Sequence, residues 1–294
     1  MKARDTLDLI LLAAIWGASF LFMRIAVPAF GPVALAFVRV AGAALMLLPL
    51  LAWRGEFGAL RRHWRPLLVV GTTNSALPFI CFGYATLSIT AGLAAIFNAA
   101  TPLTSATFAW AWLKEAMTRW RLLGLALGFA GVLGLAWHKA GLRGSGVDLA
   151  VLLAIVACLA GTLLYGFSAS FTKRQLTGVP AMALAAGSQG AAALVLAPLA
   201  WKQWPTVPPG AGPWAAAIAA ALLSSGLAYV LYFRLIARIG PTNAASVTFL
   251  VPVFAVVWGG WLLDEAITPA MVLGGLVIIA GTSLVLGLLP RRRA

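Results

Sequence analysis

The chain has 294 residues, 62% of them hydrophobic and only 10% charged, with a formal net charge of +14 and a mean hydropathy of +0.98. An ordinary globular domain carries roughly 25% charged residues, so lipid must surround most of this chain. Soluble enzymes, nucleic-acid-binding domains and ATPases with their own nucleotide fold are excluded on composition. Apolar runs recur from end to end. Runs of about 20 apolar residues cross a ~30 Å hydrocarbon core as helices. In chain order they fall near 6–27, 32–53, 65–86, 91–112, 119–138, 148–170, 181–201, 213–236, 243–263 and 268–289. The first run follows Lys2 and Arg4 but is long enough to span and lacks a small-residue cleavage site, so it reads as a span and not a leader. Cys81 and Cys158 both sit inside apolar runs and read as small packing residues. The expected fold class is an all-α integral membrane protein with ten transmembrane helices.

Basic residues set orientation in such a protein. With the N-terminus in the cytoplasm, the inner side receives Lys2, Arg4, Arg54, Arg61, Arg62, Arg65, Lys114, Arg119, Arg121, Lys173, Arg174, Arg234, Arg238 and Arg291 to Arg293. The outer side receives only Lys139, Arg143 and Lys202. That asymmetry predicts an even number of spans with both termini cytoplasmic. It also turns the high charge from a nucleic-acid signal into a topology signal.

Comparing the chain with itself at an offset of 150 residues pairs Trp64 with Trp214, Ser75 with Ser225, Pro102 with Pro252 and Glu115 with Glu265. Thr118 with Thr268, Gly124 with Gly274 and Gly131 with Gly281 extend the match. Five spans per copy is an odd number, so the second copy is expected upside down in the membrane. The basic loop 54–65 accordingly corresponds to an outer loop near Lys202. The expected organisation is a first five-helix repeat at 1–140, an outer linker at 141–147 and an inverted five-helix repeat at 148–294. Inverted repeats supply two related conformations around a site near the midplane, which points to a transporter.

The segments WLKEAMTRWRLLGLALGFAGVLG and WLLDEAITPAMVLGGLVIIAGTSL, with the early WGASFLFMRIAV, resemble the EamA branch of the drug/metabolite transporter superfamily. The resemblance covers nearly the whole chain. It implies two inverted five-helix repeats around a central cavity, with helices 1, 3, 4, 6, 8 and 9 nearest the pathway. It also implies similarity to bacterial amino-acid and metabolite exporters. The motifs are specific to the fold and poorly specific for substrate.

Polar and aromatic residues inside spans are the pathway candidates. They are Trp16, Ser19, Asn74, Pro78, Phe79, Tyr84, Asn98, Thr101, Tyr165, Ser168, Ser225, Tyr229 and Thr248. Each reads either as cavity lining or as interhelical glue. Pro102 and Pro252 break the bond to the carbonyl four residues back, at Asn98 and Thr248. They read either as paired hinges beside the pathway or as curvature for packing. Arg39 is the one basic residue well inside a span, and its repeat partner is Gln189. It is a candidate partner for a substrate carboxylate. The competing and favoured expectation is that it snorkels outward or bonds carbonyls at helix ends.

No Asp or Glu falls in the middle of a span, which favours transport down the solute's own gradient over proton coupling. Glu115 and Glu265 precede Thr118 and Thr268, read as helix N-caps with Pro269 at the first helical position. These glutamates are expected to be structural, with gating ion pairs as the sharper alternative. Gly124, Gly128 and the run Gly274 to Gly281 form small-residue faces suited to packing within the bundle. His63 and His138 sit at membrane edges, so no metal site, catalytic residue or cofactor is expected.

The reading that results is a bacterial inner-membrane exporter of amino acids or similar small metabolites, a monomer with a dimer as the alternative, working by alternating access. Its partners are a small-molecule solute and the lipid bilayer, and no nucleic acid. A sugar-phosphate or nucleotide-sugar carrier, which would want Lys or Arg pairs at mid-membrane where only Arg39 qualifies, and a multidrug or cationic-compound exporter are the rivals of the same class. An integral membrane transferase is the rival of another class; it would want His, Asp or Glu clustered at one interface.

Overall fold

The computed structural model describes residues 3–139, 148–239, 244 and 247–287. The expected linker 141–147 lies outside the described residues, as do Lys2, Arg143 and Arg291 to Arg293. Among the described residues the chain is all helical. The helices are α1 (Ala3–Trp53), α2 (Phe57–Arg62), α3 (Trp64–Gly71), α4 (Leu77–Ala85), α5 (Ala91–Asn98), α6 (Thr101–Leu113) and α7 (Arg119–Lys139). They continue with α8 (Leu149–Gln175), α9 (Ala181–Lys202), α10 (Ala211–Ala219), α11 (Ala228–Ile239), α12 (Val247–Leu263) and α13 (Pro269–Leu286). Two π-helical segments, Thr72–Ala76 and Ala220–Leu227, join α3 to α4 and α10 to α11 without a break.

Seven helical stretches among the described residues are long and apolar enough to cross a membrane. Three differences separate these seven from the ten expected runs. The runs near 6–27 and 32–53 are the two helical halves of α1, which meet at a kink at Gly31, where φ is 71°. That left-handed value suits a residue without a Cβ. The run near 91–112 divides at Ala99 and Ala100 into α5 and α6, each too short to span alone. The run near 243–263 is described as a 17-residue helix, α12.

Capping explains several of the boundaries. Thr118 Oγ1 accepts from the Arg121 N–H at 3.3 Å, and Thr268 Oγ1 from the Met271 N–H at 3.4 Å. Asp148 Oδ1 accepts from Ala150 and Val151 at the start of α8. A carbonyl freed at the break between α5 and α6 is also met: Thr282 Oγ1 donates to the Ala99 oxygen at 3.2 Å. In an apolar surrounding such a group needs a partner.

The core is built on close helix approach. α7 and α13 pack against each other through glycines. A Cβ at Gly281 would stand 2.5 Å from the Gly128 nitrogen, and one at Gly124 would stand 2.6 Å from the Gly281 oxygen. The small-residue faces therefore meet inside the molecule. α1 is the centre of the bundle, contacting α4, α9, α10, α11 and α12. It thereby carries both its polar residues and Arg39 into the interior.

Candidate functional site

A cavity of about 340 Å³ lies between α1, α4, α5, α6, α8, α11, α12 and the two π segments. Its wall includes Trp16, Ser19, Phe20, Met23 and Arg39 from α1, with Asn74, Phe79 and Phe82 from the π segment and α4. Asn98, Thr101 and Ser105 come from the broken α5–α6 pair. The second half of the chain adds Tyr165 and Ala169 from α8, Ser224, Tyr229 and Tyr232 from the second π segment and α11, and Thr248 and Val251 from α12.

Local structure explains why these residues face one another. A π turn carries an extra residue and shifts the register of whatever follows. At 72–76 and 220–227 the shift places Asn74 and Ser224 on the wall while Ser75 and Ser225 turn into the packing behind it. The interrupted α5–α6 pair exposes Asn98 and Thr101 at the helix break, where Thr101 Oγ1 donates to Asn98 Oδ1 at 3.4 Å. Trp16 is oriented from its polar edge, its Nε1–H donating to the Ser224 carbonyl at 3.2 Å. Its ring stands 5.2 Å from that of Tyr232. Phe82 stacks on Tyr165 at 6.0 Å and meets Phe20 edge-on at 5.7 Å. The wall thus carries two groups of ring contacts, Trp16 with Tyr232 and Phe20 with Phe82 and Tyr165.

Among the described residues one charge enters the wall. Arg39 is 5% exposed and does not snorkel, which corrects the expectation of an outward-reaching or carbonyl-bound side chain. The kink at Gly31 folds the second half of α1 back along its first half, so the guanidinium points inward. Its Nε–H donates to Ser225 Oγ at 2.8 Å, one terminal nitrogen lies 3.6 Å from Met23 sulfur, and its carbon sits 3.8 Å above the Phe79 ring. All three partners are neutral. Among the described residues no Asp or Glu lines the cavity.

The structure brings together Trp16, Ser19, Asn74, Phe79, Asn98, Thr101, Tyr165, Tyr229, Thr248 and Arg39 on the wall. It places four other candidates elsewhere. Pro78 is buried behind the wall and Tyr84 is 38% exposed on the outside of α4. Ser168 is buried in α8, its Oγ without a hydrogen-bond partner among the described residues. Ser225 reaches the cavity only through Arg39. The prolines are not equivalent in effect: Pro102 occupies the first turn of α6 after a helix break, whereas Pro252 is buried inside the continuous α12. Sequence reasoning passed over Phe20, Met23, Phe82, Ser105, Ala169, Tyr232 and Val251 as lining. Only Tyr232 carried a signal, standing three residues after Tyr229 on the same helical face.

The site is thus a partly aromatic cavity with one guanidinium inside a bundle of apolar helices. A family model, the EamA-like transporter family, matches the chain twice, over residues 7–137 and 152–287. The chain belongs to the EamA-like transporter family. It is 26% identical to an uncharacterized transporter, YvbV of Bacillus subtilis, across 97% of this chain and 92% of that one. It is 28% identical to an uncharacterized inner membrane transporter, YedA of Escherichia coli K12, across 93% and 88%. A protein of Streptantibioticus cattleyicolor named "Probable terminal-alkyne amino-acid exporter" is 25% identical across 94% and 91%. A crystal structure matches in fold with a TM-score of 0.68 at 20% identity, each chain covered in full. This EamA-like chain is a multi-pass membrane transporter, as its family and apolar helices require.

Proposed function

We propose that the chain exports amino acids, chiefly neutral and aromatic ones, from the cytoplasm by alternating access and without proton coupling. The cavity wall carries the reading: a guanidinium with only neutral partners faces a set of aromatic rings. A carboxylate satisfies the first and an apolar or aromatic side chain the second. The Streptantibioticus relative named as an amino-acid exporter supports the same class. A cationic drug is disfavoured, since Arg39 would repel it and none of the described wall residues is a carboxylate that would attract it.

The architecture in this reading is ten transmembrane helices, as two inverted five-helix repeats at 1–140 and 148–294 with both termini cytoplasmic, in a bacterial inner membrane. The kinked α1 supplies the first two spans and the α5–α6 pair one more. Support comes from the twofold family match and from the left-handed Lys114 and Asp264, which end α6 and α12 at an offset of 150 residues. Cysteines introduced near residues 60 and 210 should react with an impermeant thiol reagent from opposite faces. Reaction from one face would overturn the inverted topology. Purified protein in liposomes should move labelled L-phenylalanine with no imposed proton gradient. Strict dependence on that gradient would overturn facilitation, and movement of no amino acid would overturn the substrate class.

A further inference from the structure

Three pairs of residues at the cavity stand at the 150-residue offset: Arg39 with Gln189, Ser75 with Ser225, and Phe79 with Tyr229. Their contacts are interchanged in the same way. Arg39 donates to Ser225 Oγ at 2.8 Å and lies over Phe79. Gln189 donates its Nε2–H to Ser75 Oγ at 3.1 Å and has the Tyr229 hydroxyl as a hydrogen-bonding neighbour. Each post therefore leans on the serine of the opposite half and the ring of the helix beside it. The two posts differ in one respect. Arg39 lines the cavity, whereas Gln189 is fully buried and does not.

Two similar half-chains holding one pair of equivalent residues in two different positions describe the two ends of a movement. When inverted halves exchange conformations, each residue takes the surroundings of its counterpart. Gln189 then turns onto the wall and Arg39 withdraws from it, still held on Ser225 as Gln189 is now held on Ser75. We infer that Arg39 and Gln189 are one post presented to the solute alternately, as a guanidinium on the loading side and as a neutral amide on the release side. This rests on the inverted-repeat reading above. A hydrogen bond to an ionised donor holds a carboxylate more strongly than a neutral one. Half-saturation is therefore about tenfold or more lower on the Arg39 side. The asymmetry performs no uphill work, because the resting equilibrium of the empty carrier offsets it. It sets the kinetics: the solute is captured where the charge is and freed where it is not. Ser225, Met23 and Phe79 let the guanidinium withdraw, since they hold it with neutral groups when no carboxylate is bound.

The test needs no substrate. In a Cys81→Ala, Cys158→Ala background, Arg39→Cys and Gln189→Cys are exposed separately to an impermeant quaternary-ammonium thiosulfonate in right-side-out and inside-out vesicles. Position 39 should react from one face only and position 189 from the other only. Reaction of both from the same face, or of position 189 from neither, overturns the inference. Labelling near residues 60 and 210 separately decides the topology it rests on. If position 39 reacts from outside and position 189 from inside, the alternation stands and the direction becomes uptake. The exchange variant Arg39→Gln, Gln189→Arg gives a second reading where a cysteine at 39 prevents folding. Sided L-phenylalanine flux should return relative to Arg39→Gln alone, with the two half-saturation values exchanged. A folded exchange variant that behaves as Arg39→Gln overturns the inference.

Discussion

Glu265 Oε1 accepts a hydrogen bond from the Ala91 backbone N–H at 3.0 Å, which seats a loop carboxylate on the N-terminus of α5. Arg24 of α1 completes the clasp, 3.7 Å from the same oxygen, and donates to the carbonyls of Thr86 and Leu87. At the equivalent place 150 residues earlier, Glu115 receives Lys173 Nζ from α8 at 2.6 Å and Arg121 at 3.5 Å. The loops that present the two glutamates are alike. Lys114 and Asp264 are left-handed, with the Glu115 N–H bonded to the Ala109 oxygen and the Glu265 N–H to the Gly259 oxygen. Each glutamate joins the end of its own half to the first helix of the other half. A third clasp ties Arg238 of α11 to Asp5, at 3.2 Å, and to Asp8.

The Glu265 clasp predicts a graded response. Its side chain is about one-tenth exposed, so removing it leaves the Ala91 N–H and the Arg24 charge poorly met. Glu265→Ala should cost about 1–3 kcal/mol of stability. Glu265→Gln keeps an acceptor and should lose less. Thermal melts of the detergent-solubilised protein decide it. An alanine variant that melts with the wild type would show that the carboxylate holds nothing together.

Glu115 predicts a pH dependence of defined sign. The hydrogen bond from the Lys173 ammonium holds its carboxyl below the ordinary value of 4.5. A depressed folded-state value contributes stability that is present above the ordinary value and lost as pH falls through the folded one. The difference in melting temperature between wild type and Glu115→Gln should therefore be constant near neutrality and vanish in acid below pH 4.5. Lys173 is two-thirds exposed, so the difference should stay within ~1 kcal/mol and shrink in high salt. A difference that grows on acidification would refute the assignment.

Much of the fold is legible in the sequence because lipid imposes a length rule on apolar helices. The N-caps at Thr118 and Thr268 and the offset that pairs Glu115 with Glu265 follow from local chemistry. The site is less legible, for two physical reasons. In an almost wholly apolar helix, periodicity does not distinguish a face turned to lipid from one turned to a cavity. Phe20, Met23 and Phe82 look no different from lipid-facing residues, and Arg39 gives no sign of its direction. The π segments are the second reason. An extra residue per turn rotates Ser224 onto the wall and Ser225 behind it, reversing the choice that a regular 3.6-residue period suggests.

The seam between α7 and α13 predicts a stability defect without a direct effect on the cavity. A methyl at Gly281 would stand 2.5 Å from backbone nitrogen, which no rotamer change relieves. Gly281→Ala should separate the helices and cost about 1–3 kcal/mol. Gly134→Ala, on α7 where a Cβ meets open space, is the control. Equal melting of the two variants would remove the seam as a source of stability.

Arg39 gives the sharpest functional prediction, because three substitutions separate its charge, its geometry and its stacking. Arg39→Gln removes the charge and should lower transport efficiency for L-phenylalanine by about 10- to 150-fold, the worth of a hydrogen bond to a charged group. Arg39→Lys keeps the charge but loses the planar fork that meets Ser225 and Phe79 together, so it should fall between the two. Phe79→Leu keeps an apolar wall and removes the ring 3.8 Å from the guanidinium. It should weaken transport by no more than a cation–π contact is worth, about 0.5–2 kcal/mol. The neutral solute phenylethanol, which lacks a carboxylate, should compete equally poorly with all four proteins. Wild-type efficiency in Arg39→Gln, with the protein folded, would remove the guanidinium from substrate recognition. A Lys variant as poor as Gln would instead place its role in the hydrogen-bonded geometry with Ser225, with charge alone insufficient.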